Sequence, residues 1–230
     1  MIPLLYALIT SAATLAGGAL PMYTRLRLVE QRYMVAFAGG AMVAIALFDL
    51  IPEMKAHNAV ALMLGFFAIY LLEKLVMIHA CGEAECETHA MGWPALIGIA
   101  TESLIDGLAI AVGFGVAPSL GLLIALAVLA HELPRGLTTT VIMQEAGYSR
   151  PRVWAALLVD AGFAPLGVLL SGLIPPSVFE PLIGFTAGVF LYVGASDLLP
   201  EAHRRFNLRV VLATLAGGGL IPVLGSVLGR

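Results

Sequence analysis

Eight stretches of this chain run for about twenty residues each with almost no charge, which limits its fold more than any other feature. They fall at about 3–23, 34–53, 59–79, 93–114, 119–143, 152–173, 180–201 and 208–229. As a helix, each can cross about 30 Å of hydrocarbon. Lipid offers no partner to a backbone N–H or C=O, so a spanning segment is a helix or part of a closed barrel. The runs lack the period-two alternation of barrel strands. The expected fold is therefore an all-α integral membrane protein of eight transmembrane helices, one domain over 1–230.

Composition agrees with a chain solvated by the lipid bilayer. Charged residues make up 12% and hydrophobic residues 60%, whereas a soluble domain carries about 25% charge. The net charge of −3, with no basic patch, gives no surface for nucleic acid. The N-terminal MIPLLYALIT lacks a basic leader and a small-residue cleavage site, so it reads as a span and not as a removed signal.

Orientation follows from Lys and Arg. The connections after spans one, three, five and seven carry Arg25, Arg27, Arg32, Lys74, Arg150, Arg152, Arg204, Arg205 and Arg209. The other side carries Lys55 and Arg230. Positive loops stay inside, so both termini are expected outside a cell (inner) membrane.

Two segments repeat. AGGAMVAIALFDLIPEM (38–54) aligns without gaps with TAGVFLYVGASDLLPEA (186–202), matching Gly40 with Gly188, Asp49 with Asp197, Leu50 with Leu198, Pro52 with Pro200 and Glu53 with Glu201. Span two ends outside and span seven ends inside, so the motif closes helices of opposite sense. This predicts an inverted repeat, spans 1–3 against 6–8 around spans 4–5, as in many secondary transporters. Asp49 and Glu53 then stand at the entrance of a cation path, and Asp197 and Glu201 at its exit.

The chemistry concentrates in spans four and five. TESLIDG places Glu102 and Asp106 one turn apart on one helix face, with Ser103 beside them. HELPRG does the same for His131 and Arg135, with Glu132 adjacent. Such groups are costly against lipid and must face the bundle interior. A structural ion-pair network would leave Glu102, Asp106 and Glu132 with only Arg135 to oppose them. The remaining two negative charges call for protons or a divalent cation. Carboxylates with one imidazole suit Zn²⁺, Fe²⁺, Mn²⁺, Co²⁺ or Cd²⁺. The HExxH helix of zinc hydrolases is a poor match, because Arg135 replaces its second His and Pro134 interrupts the helix; an enzyme is not expected.

At these residues the chain resembles the ZIP family of divalent-metal transporters. E-S-L-I-D-G (102–107) and H-E-L-P-R-G (131–136) stand where the family carries H-N-x-x-[DE]-G and H-E-x-P-H-E. MQEAGYSRPRVWAAL, A-P-L-G (164–167) and D-L-L-P-E are similar to the family too. The resemblance implies eight helices, outside termini and a metal path between spans two, four, five and seven. It also marks departures. Glu102 stands where the family has His, and Ser103 where it often has Asn. Arg135 replaces a His or Glu of a second metal site, and Ala164 replaces a Glu that one bacterial branch supplies to it. The expected remainder is one metal site of Glu102, Asp106, His131 and Glu132, with Ser103 a weaker donor and Arg135 a charge surrogate for the second cation.

The connection at 80–92, in HACGEAECETHAMGW (79–93), offers His79, Cys81, Cys86 and His89 among glutamates. On the reducing inner side its thiols stay free. It reads either as a solvated acidic linker or as a flexible receiving site for metal leaving the pore. Lone His57 and His203 read as solvated caps, and Asp160 in span six is an intramembrane acid with no partner visible in the sequence.

The expected function is transport of a divalent transition metal, inward across the plasma membrane. A non-transporting membrane metal sensor with the same fold, or a carrier whose Arg135 binds an anionic substrate, remains the alternative. A homodimer is compatible with either.

Overall fold

The computed structural model describes residues 1–23, 28–55, 58–81, 93–145, 147–204 and 207–229. Its long helices, numbered here in chain order, are α1 (Ile2–Tyr23), α2 (from Leu28–Ile45), α3 (Ala59–Cys81), α4 (Trp93–Val116), α5 (Pro118–Glu145), α6 (Arg150–Ser171), α7 (from Phe179–Leu191) and α8 (Leu208–Val227). Among the described residues there is no strand. Seven of these helical segments are long and apolar enough to cross a membrane. Exposed Leu8, Leu64, Phe67, Leu71, Leu158, Leu169, Leu212 and Val223 give the bundle the outer surface that hydrocarbon requires.

Helices α2 and α7 share an irregularity. Helix α2 widens into a π-helical turn at Ala46–Leu50 before its last residues, Ile51–Glu53. Helix α7 does the same at Tyr192–Leu198 before Leu199–Ala202. Pro52 and Pro200 explain the position. A proline lacks the N–H that the carbonyl four residues earlier would receive, and its ring crowds that carbonyl, so the turn before it loosens. Asp49 and Asp197 sit within these widened turns.

Four helix pairs are locked by reciprocal glycine contacts. In α1 and α5, Gly17 lies against the Leu133 carbonyl and Gly136 against that of Thr14. In α4 and α6, Gly107 meets the Ala164 carbonyl and Gly167 that of Leu104. In α2 and α8, Gly40 meets Thr214 and Gly217 meets Phe37; in α3 and α7, Gly188 meets Leu62 and Gly65 meets Phe185. At each of these glycines a Cβ would overlap backbone. Small residues drive association in lipid because they let backbones approach, where the hydrophobic effect gives no drive. The apolar core, with Met42, Ile45, Ile110, Leu123, Ile124, Ile183 and Phe190 fully buried, fills the space between these pairs.

Candidate metal centre

The glycine contacts decide which polar groups meet. Glu132 stands one turn before Gly136, so the close approach of α1 brings the Thr14 hydroxyl onto Glu132 Oε2. Ser103 stands one turn before Gly107, and Asp160 one turn before Ala164. The matching approach of α6 sets Asp160 Oδ1 2.5 Å from Ser103 Oγ. A further bond from Ser11 Oγ to the Ala161 carbonyl, 2.6 Å, ties α6 to α1 at this level. Ser103, Asp106, His131, Glu132 and Asp160 are all buried at 1% exposure.

Asp106, His131 and Glu132 form a group whose ligand atoms all lie within 4.8 Å of one another. His131 Nε2 is 3.3 Å from Asp106 Oδ2 and 3.9 Å from Glu132 Oε1. Donors bound to a tetrahedral cation at about 2.0–2.1 Å lie some 3.3 Å apart, which the His131–Asp106 edge matches and the His131–Glu132 edge, at 3.9 Å, exceeds. Neither His131 Nε2 nor Asp106 Oδ2 has a hydrogen-bond partner among the described residues. On the far side of the ring, His131 Nδ1 faces the Ala127 carbonyl at 3.4 Å. A proton held there leaves the Nε2 lone pair aimed into the triangle, the usual arrangement behind a metal-binding histidine.

Arg135 lies beside this triangle. Its Nη2 donates to Glu132 Oε1 and Ser103 Oγ and lies 3.2 Å from Asp160 Oδ1. Its Nη1 is 3.5 Å from Glu102 Oε2 and 3.7 Å from Asp106 Oδ2. Of the expected ligands, the structure thus joins Asp106, His131 and Glu132, turns Glu102 toward Arg135, and engages Ser103 with Asp160 and Arg135. Asp160, which the sequence left without a partner, is an ion-pair partner of Arg135. A cue was present: it stands one turn before Ala164, on the face that looks at span four. Thr14 had no comparable signal.

The four acids placed along the path lie outside this group. Asp49 is buried at 7% exposure, and with Glu53, Phe48, Pro52, Pro222 and Gly225 it lines a cavity of about 410 Å³. Asp197 and Glu201 are exposed, and Glu201 pairs with Arg204 at 2.6 Å. Near Asp197, the Tyr192 hydroxyl donates to Glu73. His203 Nδ1 lies 2.9 Å from the Leu199 carbonyl, a local helix-end contact. Cys86, His89, His57, Arg25, Arg27, Arg205 and Arg230, and the side chains of His79 and Cys81, lie outside the described residues.

Comparison with known proteins gives this geometry its context. The chain is 26% identical over 225 residues to Zinc transporter ZIP13 of Pongo abelii, covering 85% of this chain and 67% of that one. It is 32% identical over 143 residues to the Drosophila melanogaster Zinc transporter ZIP13 homolog, covering 58% and 40%. It is 41% identical over 140 residues to human Zinc transporter ZIP5, covering 56% of this chain and 26% of that protein. The sequence profile of the family described as ZIP Zinc transporter matches residues 77–225, which hold α4, α5 and every residue of the buried cluster except Ser11 and Thr14. With its apolar helices and this match, the chain is a multi-pass membrane protein that belongs to the ZIP zinc transporter family.

Proposed function

We propose that this protein carries a divalent transition-metal cation across the plasma membrane into the cytosol, through one site at mid-membrane depth. Asp106, His131 and Glu132 hold the cation, and Glu102, on the same face of α4 as Asp106, is the next oxygen donor available. The observation that carries this reading is the pair of buried donors without a hydrogen bond, His131 Nε2 and Asp106 Oδ2, facing each other at 3.3 Å. Buried polar atoms are rarely left unpaired, and each such atom calls for a ligand or a function. The relatives' names point to zinc as cargo. The oxygen-rich donor set keeps Fe²⁺, Mn²⁺, Co²⁺ and Cd²⁺ in the substrate class.

Arg135 takes the place of a second cation in this reading. Its guanidinium touches Glu102, Glu132 and Asp160, and the buried α6 position Ala164 supplies no ligand. Transport then runs from Asp49 and Glu53 outside to Asp197 and Glu201 inside, with both termini outside. An inverted repeat of α1–α3 and α6–α8 accounts for the matched π-helical turns at Asp49 and Asp197. It also accounts for the glycine contacts. Exchanging α2 with α7 and α3 with α8 turns the Gly40–Thr214 contact into Gly188–Leu62, and Gly217–Phe37 into Gly65–Phe185.

Uptake by purified protein in sealed vesicles, measured against a panel of divalent cations, tests the reading. Saturable uptake of at least one transition metal, with Mg²⁺ and Ca²⁺ excluded, is expected. Tight metal binding with no flux would make the protein a sensor instead of a carrier.

A further inference from the structure

The charge of Arg135 raises a problem that its own helix does not solve. A guanidinium in direct contact with Glu132 and 3.7 Å from Asp106 competes with any cation for the same oxygens. Charges this close in a poorly solvated interior interact strongly. We propose that Asp160 is the positioning residue that relieves this competition: it shares the charge of Arg135 with Glu132, so that the guanidinium yields Asp106, His131 and Glu132 when the cargo binds. The inference rests on the metal-site reading above.

Three observations support it. Asp160 is 1% exposed on α6, and its Oδ1 lies 3.2 Å from Arg135 Nη2. The same oxygen is 2.5 Å from Ser103 Oγ, which also accepts from Arg135, so Asp160 Oδ1, Ser103 Oγ and Arg135 Nη2 form one hydrogen-bonded group, while Asp160 Oδ2 has no hydrogen bond among the described residues. Finally, the backbone beneath Asp160 is fixed from two sides. Ser11 binds the Ala161 carbonyl at 2.6 Å, and Gly107 packs on the Ala164 carbonyl. Set on this backbone, Asp160 Oδ1 draws Arg135 Nη2 toward α6 in competition with Glu132. Among the described residues no ion pair or hydrogen bond joins Asp160 to His131, and Asp160 is absent from the ligand group, so it acts on the cargo through Arg135.

The test is a double-mutant cycle on zinc affinity, measured by titration of the full-length protein in detergent. Asp160→Asn should weaken zinc binding roughly tenfold or more, the scale at which groups behind the ligands act. Asp160→Glu, which keeps the charge, should stay within a fewfold of the parent. Arg135→Gln added to Asp160→Asn should restore affinity toward the parent value, because it removes the released competitor. A residue that merely supported the fold would show no such rescue. If Asp160→Asn is not recovered folded, the double variant still decides, since removing both members of a buried pair is tolerated far better than removing one. Near-parent zinc affinity in the double variant supports the proposal. Unchanged affinity in Asp160→Asn, or a double variant as weak as the single, overturns it and leaves the metal site standing. A parent protein that binds no zinc would instead remove the metal-site reading itself.

Discussion

His131 Nε2 lies 3.3 Å from Asp106 Oδ2 across the interface of α5 and α4, and neither atom has a hydrogen-bond partner among the described residues. Two buried donors that face each other without a hydrogen bond, with Glu132 beside them, are set to share a positive partner. His131→Ala should weaken zinc binding by about 100-fold or more, beyond the 10–100-fold typical of groups behind the ligands. Equilibrium dialysis of the purified variant measures this, and parent-like affinity would place the cation elsewhere.

Stoichiometry probes Arg135. The parent should hold about one transition-metal ion in its membrane region, since the two carboxylates and one imidazole there supply one shell beside one fixed cation. Arg135→Glu with Ala164→Glu replaces that cation by two oxygen donors and should raise the count to about two. Elemental analysis, with metal on the 80–92 connection scored separately, reads the difference. Two tight intramembrane ions in the parent would refute the surrogate role.

The sequence carried much of this site because its signal is local. Apolar runs define the helices, and the spacing of Glu102 with Asp106 and of His131 with Arg135 places each pair on one face without reference to the rest of the chain. What it did not carry depends on contacts between helices far apart in sequence. Thr14 reaches Glu132 only because Gly136 admits α1, and Asp160 reaches Arg135 only because Gly107 admits α6. Glu102 shows the same limit. Its helix face is legible from spacing, but the turn of its carboxylate toward Arg135 depends on where α5 puts the guanidinium. The widened turns at Asp49 and Asp197 left a trace in the prolines that follow, though a proline alone does not distinguish a π-helical turn from a kink.

The glycine contacts predict a stability difference within one protein. Gly107→Val would drive a side chain into the Ala164 carbonyl and should cost about 1–3 kcal/mol, as overpacking of a tight interior does. Gly219→Ala on α8 is the control, because a Cβ there meets nothing within 4 Å. Thermal unfolding in detergent should show Gly107→Val several degrees below the parent and Gly219→Ala at or above it. Equal melting of the two variants would contradict the packing account.

The 80–92 connection should tune release without carrying the ion through the membrane. Cys81→Ser with Cys86→Ser is expected to weaken metal binding at the inner face and leave measurable uptake. Loss of uptake in a folded double variant would make the connection part of the essential path.

The most direct test of the central claim is the initial rate of zinc uptake into sealed vesicles by the parent and by Asp106→Asn, at matched protein content. The substitution keeps the shape of the side chain and removes the charge that faces His131. Saturable uptake by the parent is expected, with a rate lower by roughly tenfold or more in the variant. Equal rates in a folded variant would contradict transport through the Asp106–His131–Glu132 site.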